Sequence, residues 1–386
     1  MLTTHPIAQE LFFPGEEYET RLATIRAAMA RRGVDVMLCS GPENIFYASG
    51  YQTFGYHSYQ LLVIPLEGKP FLILRYLESL LAHRYSWVTD IVTWDDTDDP
   101  IEITLAALKE RGLAAGKVGV EQKAYFLQVS SFLKLQAALP GLVDGSGVVE
   151  VSRAIKSPRE LAFMREAGKL SDIGMAAAIE AVASGSSDQD IAAECFAAMT
   201  RAGSEWMCRS PIVTTGDRSG LPHSNHLRQK LDGGDAVLIE ISAVYNRYYS
   251  PLMRGALVGR SNPKVERIAA VCIEALEAAI DAVKPGATSG EVDEAARRVI
   301  EREGLWENYR KRSGYAVGVG FSTWIEGAIG SLKIGDTTVL KPGMCYHIPI
   351  AIRYYGEAGI GFSETVAVTE TGVEVMGRAP RSLAIR

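Results

Sequence analysis

Gly234-Asp235-Ala236-Val237-Leu238-Ile239-Glu240-Ile241 is an apolar run entered through a Gly-Asp pair and broken by one carboxylate. It reads as the start of a buried strand over Ala236 to Val244. Three more Gly-bounded strands are predicted, over Tyr248 to Val258, Met344 to Ile352 and Thr365 to Thr369. Alanine-rich helices are predicted over Arg159 to Ala183, Asp188 to Ala202, Pro263 to Val283 and Ser289 to Glu303. Helices and strands in separate runs within one region predict an α+β domain, with helices covering one face of an antiparallel sheet. Glu240 stands out because a carboxylate in an apolar strand is costly to bury unless it is paired or has a chemical task. The pairing alternative is a salt bridge to Arg247 or Arg254.

Ahead of this region, Ser157-Pro158-Arg159-Glu160 opens a helix with proline in its first turn. The boundary falls there, dividing residues 1–154 from 155–386. In the first part, helices over Glu16 to Arg32, Ile101 to Arg111 and Val129 to Leu139 alternate with strands over Val34 to Ser40, Tyr59 to Pro65, Lys69 to Leu74 and Lys117 to Glu121. Asn44 to Ala48 opens a helical turn, and Glu67-Gly68 joins two of the strands as a hairpin. Such alternation predicts an α/β domain. Two domains also suit a length of 386 residues, beyond the roughly 250–300 residues at which single cores stop growing.

The formal net charge of -6 disfavours a nucleic-acid partner. Asp95, Asp96, Asp98 and Asp99 form an acidic run without the wider pattern of a calcium loop, so they read as a solvated turn. The 5 cysteines are odd in number and lack metal spacing, as expected of thiols in a reducing compartment. Met1 to Gly15 shows no basic start followed by an apolar run, and no apolar stretch reaches the roughly 18–20 residues of a membrane helix. A cytoplasmic location is expected.

Several short motifs recur in a fixed order: Ile155-Lys156-Ser157-Pro158-Arg159-Glu160, Pro222-His223, the Gly234 strand entry, Val283-Lys284-Pro285-Gly286, Leu340-Lys341-Pro342-Gly343-Met344 and Thr365 to Gly372. In this order they resemble the creatinase/prolidase/methionine-aminopeptidase family. The resemblance implies a creatinase-type α/β N-terminal domain and an α+β pita-bread catalytic domain. Peptidases of that family hold two metals with five ligands, and oxygen donors plus one imidazole suit ions that activate a bridging water. Carried over by position, those ligands fall on Glu240, Pro251, Tyr315, Pro349 and Ser363. The prolines offer no side-chain ligand. Rescue by His347 and Glu364 would need a register slip, and a one-residue slip turns a strand side chain to the opposite face. No metal and no other cofactor is therefore expected.

The resemblance is stronger to the ectoine hydrolases, through Glu240-Ile241, Tyr245, Arg247-Tyr248, Pro251-Leu252, Arg254, Gly314-Tyr315, His347 and Glu364. It implies metal-independent hydrolysis of a C–N bond in a small zwitterionic amidine or amide. His223, matching creatinase's acid/base histidine, would move protons. Glu240 would clamp an amidinium or act as nucleophile. Tyr315 would donate to the tetrahedral centre. His347, Glu364 and Arg254 would help bind substrate. Phe54, Tyr56 and His57 would close the active site of a neighbouring subunit in a homodimer, the alternative being a loop packed within its own domain. Three features depart from the ectoine-hydrolase pattern: Phe54 in place of a tryptophan, Phe321 to Glu326, and Gly361 in place of a glutamate. The competing functions are an Xaa-Pro metallopeptidase and a catalytically silent binding module.

Overall fold

The computed structural model describes residues 7–386. The expected leaderless stretch Met1 to Gly15 thus lies partly outside the described residues. The chain divides into two compact units, Met1–Arg153 and Ala154–Arg386.

The first unit runs α1 (Gly15–Arg32), β1 (Val36–Cys39), α2 (Pro42–Ser49), β2 (Leu61–Pro65), β3 (Phe71–Arg75), α3 (Tyr76–Tyr85), β4 (Ile91–Trp94), α4 (Pro100–Glu110), β5 (Val118–Val120), α5 (Val129–Ala138), β6 (Leu142–Asp144) and α6 (Glu150–Arg153). Its strands lie in the order β4-β3-β2-β1-β5-β6. β1 is antiparallel to β2 and parallel to β5, so the sheet is mixed. α1 stops where Gly33 turns left-handed at φ 62°, a conformation that costs glycine nothing sterically. β2 and β3 form the predicted hairpin around Glu67-Gly68. β4 and β6 escaped prediction because they are short and only half-buried, leaving little apolar signal. α3 escaped as well, since only Ser79 and Ala82 of its residues are buried.

The second unit runs α7 (Pro158–Glu180), α8 (Asp188–Arg201), β7 (Ile212–Thr215), α9 (Gly216–Ser219), β8 (Ala236–Ile241), β9 (Val244–Tyr245), β10 (Tyr248–Tyr249), β11 (Leu252–Leu257), α10 (Pro263–Ala282), α11 (Ser289–Arg302), β12 (Gly314–Ala316), β13 (Ser331–Leu332), β14 (Cys345–Tyr354), β15 (Ala358–Val368), β16 (Val373–Val375) and β17 (Ala384–Ile385). Its main sheet has the order β13-β12-β14-β15-β11-β8-β7, antiparallel throughout that path. Three of its long helices start from reciprocal side-chain caps, Ser157 with Glu160, Ser187 with Asp190 and Thr288 with Glu291. Each satisfies N–H groups that a helix end leaves without partners.

Two strand boundaries differ from expectation. The run Tyr248 to Val258 breaks at Ser250-Pro251, where proline brings no N–H to the ladder. β15 begins at Ala358 rather than Thr365. Its early half hid behind Gly359 and Gly361, which resemble turn residues. Here they permit close approach: a Cβ at 359 would lie 2.2 Å from the Ser219 carbonyl, and one at 361 would lie 2.4 Å from Met253 Sδ.

Strand alternation sorts the sheet into two faces. Val237, Ile239 and Ile241 of β8, with Leu252 and Ala256 of β11, pack in one core with residues of α7 and α8. Ile348, Ile350 and Ile352 of β14, with Ile360, Phe362 and Val366 of β15, pack with residues of α10 and α11. The alternate residues Leu238, Met253 and Ala351 form a separate small cluster. Glu240, Met253, Ser363 and Pro349 are successive partners across β8, β11, β15 and β14, so they share that second face.

The loop after β12 is fixed by Lys156 Nζ, 2.8 Å from Glu326 Oε2, with both side chains buried. Removing one member of such a pair leaves a buried, unmatched charge. Glu326→Ala is expected to lower the unfolding free energy by about 3–5 kcal/mol in urea titrations. A loss below about 1 kcal/mol would show that the pair contributes no more than a surface contact.

Candidate active site

A cavity of about 500 Å³ opens on the second face of the sheet. Its floor includes Thr214, Leu238, Glu240, Met253, Pro349 and Ala351, and its rim includes His223, Arg209, Lys311, Tyr315, Trp324 and Arg353. His223, Glu240 and Tyr315, which the sequence pattern singles out, therefore line one space.

Glu240 faces the cavity from β8, opposite Ile212 of β7 and Met253 of β11. Neither neighbour offers a donor. Among the described residues its carboxylate has no hydrogen bond and no ion pair, so the expected alternative of a salt bridge to Arg247 or Arg254 does not form. Burial pushes its carboxyl above the usual range, while Arg353, Lys311 and Arg209 pull the other way. An acid held like this can accept a proton or meet an incoming cation.

Tyr315 heads a chain of buried polar groups. Trp324 Nε1 donates to its hydroxyl at 3.1 Å, and His347 Nδ1 lies 2.9 Å from that oxygen. His347 Nε2 in turn lies 2.6 Å from Ser363 Oγ. Burial and the Lys311 charge push the imidazole down to about 3, so it is neutral near pH 7. With the proton on Nδ1, His347 donates to Tyr315 and accepts from Ser363. The tyrosine proton is then left for the cavity. His347 does not line the cavity but lies beneath Tyr315. The expected substrate contact is corrected to support of Tyr315. Standing two residues from Pro349, it shares that residue's face, so the slip argument does not apply to it.

The slip argument does hold for Glu364. It lies on the helix-covered face, 2.6 Å from Arg254 Nη2 and 2.9 Å from Arg381 Nε. All five Arg254 N–H groups are taken: Nε by the Pro380 carbonyl, Nη1 by those of Met253 and Ser363, and Nη2 by Glu364 and the Ala379 carbonyl. No donor remains for a substrate. The expected binding role of Arg254 and Glu364 gives way to a structural one, because both sit one residue out of phase with the cavity row.

His223 is exposed at the cavity rim, with φ 59°. A non-glycine residue there is uncommon. Phe54, Tyr56 and His57 belong to the first unit, in the segment between α2 and β2. Phe54 is exposed, whereas Tyr56 is buried with its ring 4.4 Å from that of His57 and 5.7 Å from that of Phe126.

Sequence reasoning missed Lys311 and Arg353. Lys311 is half-buried, its Nζ 2.5 Å from the Pro349 carbonyl. Burial, assisted by Arg353, pushes its ammonium down to about 7. In the sequence it sits within Arg310-Lys311-Arg312, which reads as a solvated basic run; its place just before Gly314-Tyr315 was the available signal. Arg353 extends the face of β14 that carries Pro349 and Ala351.

Of the positions to which family resemblance assigns metal ligands, Glu240 alone supplies a carboxylate. Pro251 does not line the cavity; Met253 stands opposite Glu240 instead. Among the described residues, no three His, Cys, Asp or Glu side chains come together as a metal-binding group. The donor set does not fit a two-metal centre.

Residues 162–370 match the model of metallopeptidase family M24, and residues 21–155 match the creatinase/prolidase N-terminal domain. Over 98% of its length the chain is 27% identical to the ectoine hydrolase of Halomonas elongata, all of which is covered. It is 28% identical to the Xaa-Pro dipeptidase of Pyrococcus furiosus, over 94% of this chain and 99% of that one. The dipeptidase PepE structure from Mycobacterium ulcerans superposes with a TM-score of 0.84 at 27% identity, covering 97% of this chain and 99% of that one. With both of its domains matched in order, the chain belongs to metallopeptidase family M24, in the form that carries a creatinase/prolidase N-terminal domain.

Proposed function

We propose that this M24 hydrolase acts without a resident metal on a non-peptide C–N bond of a small amidine or amide, as an ectoine hydrolase does. The observation that carries the reading is Glu240, a single carboxylate with no hydrogen bond or ion pair among the described residues, in a row otherwise made of Met253, Ser363 and Pro349. Such a row supplies one charge to meet a cationic substrate and too few donors for two metals. The full-length similarity to an ectoine hydrolase supports the substrate class.

In this reading the amidinium of the substrate lies against Glu240. A protonated amidine carbon is already electrophilic, so water adds to it without a Lewis acid. His223 takes the proton from that water and returns it to the departing nitrogen, after which the C–N bond breaks. Tyr315 donates to the oxygen of the tetrahedral intermediate. His347 positions Tyr315 and stays out of the proton traffic, because its low pKa keeps it neutral. Peptide-bond cleavage is the second reading, favoured by the similarity to the Xaa-Pro dipeptidase.

The two readings separate by NMR on ectoine, hydroxyectoine, creatine and an Xaa-Pro dipeptide. Ring opening that persists in chelator is expected, and dipeptide cleavage that appears only with added manganese would reverse the assignment. Glu240→Gln is expected to lower kcat on the confirmed substrate by about 10²–10⁴-fold; unchanged turnover would remove Glu240 from the chemistry.

His347 also makes a prediction for stability. Its folded pKa of about 3 lies below its ordinary value near 6.5, so the unfolded chain takes up the proton first. The stability it contributes is complete above about 6.5 and is lost as pH falls toward about 3, by at most about 1.4 kcal/mol per pH unit. In urea unfolding between about pH 6 and pH 4, His347→Gln is expected to show a shallower acid-side slope than the parent protein. Equal slopes would mean that the imidazole is not held neutral.

A further inference from the structure

Apart from Glu240, every charged side chain fixed on this cavity is basic. Arg209, Lys311, Arg312 and Arg353 all line it. Among the described residues none of the four has a carboxylate partner. Arg209 makes one long contact, 3.4 Å, to Thr323 Oγ1. Arg312 donates to Ser331 Oγ at 2.8 Å, and Lys311 to the Pro349 carbonyl. Arg353 is the least satisfied: its Nε is buried without an acceptor. A fifth cation, Arg310, is already matched by Glu307 at 3.0 Å. Three guanidinium groups, with a lysine whose ammonium is pushed down to about 7, face one acid and leave the cavity with excess positive charge.

The cations fall into two groups. Lys311 reaches the Pro349 carbonyl of β14, and Arg353 is carried by the same strand four residues further on. Arg312 stands over the Tyr315 ring, 5.0 Å from its centre. Arg209 stands over the Trp324 ring at 5.6 Å, and Trp324 is hydrogen-bonded to Tyr315. Guanidinium forks suit carboxylates, and cations placed both along β14 and over the Tyr315 and Trp324 rings suit two of them.

We propose that the substrate carries two acidic groups, one held by Arg353 and Lys311 and the other by Arg209 and Arg312, with its scissile C–N centre at Glu240. The proposal rests on the hydrolase reading for the scissile centre and goes beyond it in charge. Ectoine carries a single carboxylate and is net neutral, so it leaves one cationic set unmatched.

Titration calorimetry on the full chain tests this with N-acetyl-L-aspartate, N-acetyl-L-alanine, ectoine and sulfate, and turnover of the organic probes is followed separately by NMR. N-acetyl-L-aspartate is expected to bind at least about tenfold more tightly than each of the others. Arg353→Met and Arg209→Met are each expected to cut that preference to about twofold or less. Equal binding of N-acetyl-L-alanine or ectoine would overturn the second acidic group. Equal binding of sulfate would reduce the site to a general anion patch. A preference that survives both substitutions would place the acidic groups elsewhere. Tight dicarboxylate binding with no turnover of any probe would keep this proposal and remove the hydrolase reading. Ring opening of ectoine with no dicarboxylate preference would do the reverse.

Discussion

Neighbouring residues on an antiparallel strand cannot share a face, and the organisation of the catalytic unit depends on that constraint. The same four strands that bury aliphatic side chains against helices on one side present Glu240, Met253, Ser363 and Pro349 on the other. A single residue separates Met253 from Arg254, and Ser363 from Glu364. Within that step the role changes from cavity floor to structural anchor. Side-chain chemistry alone would have placed the arginine and the glutamate in the site.

The two sides treat charge in opposite ways. On the helix side, the five donors of buried Arg254 are spent on five acceptors, Glu364 Oε1 among them, and only Glu364 Oε2 of that ion pair is left without a hydrogen bond among the described residues. On the cavity side, among the described residues, Glu240 has no hydrogen bond and Arg353 leaves Nε without an acceptor. A fold tolerates unmatched buried charge where ligand or water can complete it, since an unpaired charge is otherwise among the costliest groups to bury. The Trp324–Tyr315–His347–Ser363 chain belongs to neither class. It is neutral and hydrogen-bonded throughout, and it fixes one tyrosine rotamer at the rim.

Local signals made most of the architecture legible. Proline in the first turn marked the start of α7, and apolar runs gave β8 and β14 to within a few residues. The first half of β15 was hidden because its glycines serve close packing, which no local pattern distinguishes from a turn. Glu240 was recognisable as a lone carboxylate in an apolar strand, whereas His223 and Tyr315 stood out only through their match to family motifs. Lys311 and Arg353 were not, because their importance comes from facing Glu240 across the cavity. Arg254 and Glu364 misled for the converse reason: their partners Ala379, Pro380 and Arg381 lie in a tail segment whose return to β11 and β15 is a tertiary fact.

Pro349 sits where proline can be accommodated. Pairing of β14 with β12 covers Tyr346 and His347 and goes no further, so beyond that point a missing N–H removes no ladder bond on that flank. The released edge is where Lys311 reaches in to the proline carbonyl. This has a genetic side. Every proline codon differs from every aspartate and glutamate codon at both its first and second bases. No single base substitution can put a carboxylate at 349, and each intermediate change would introduce some other side chain into the cavity row first.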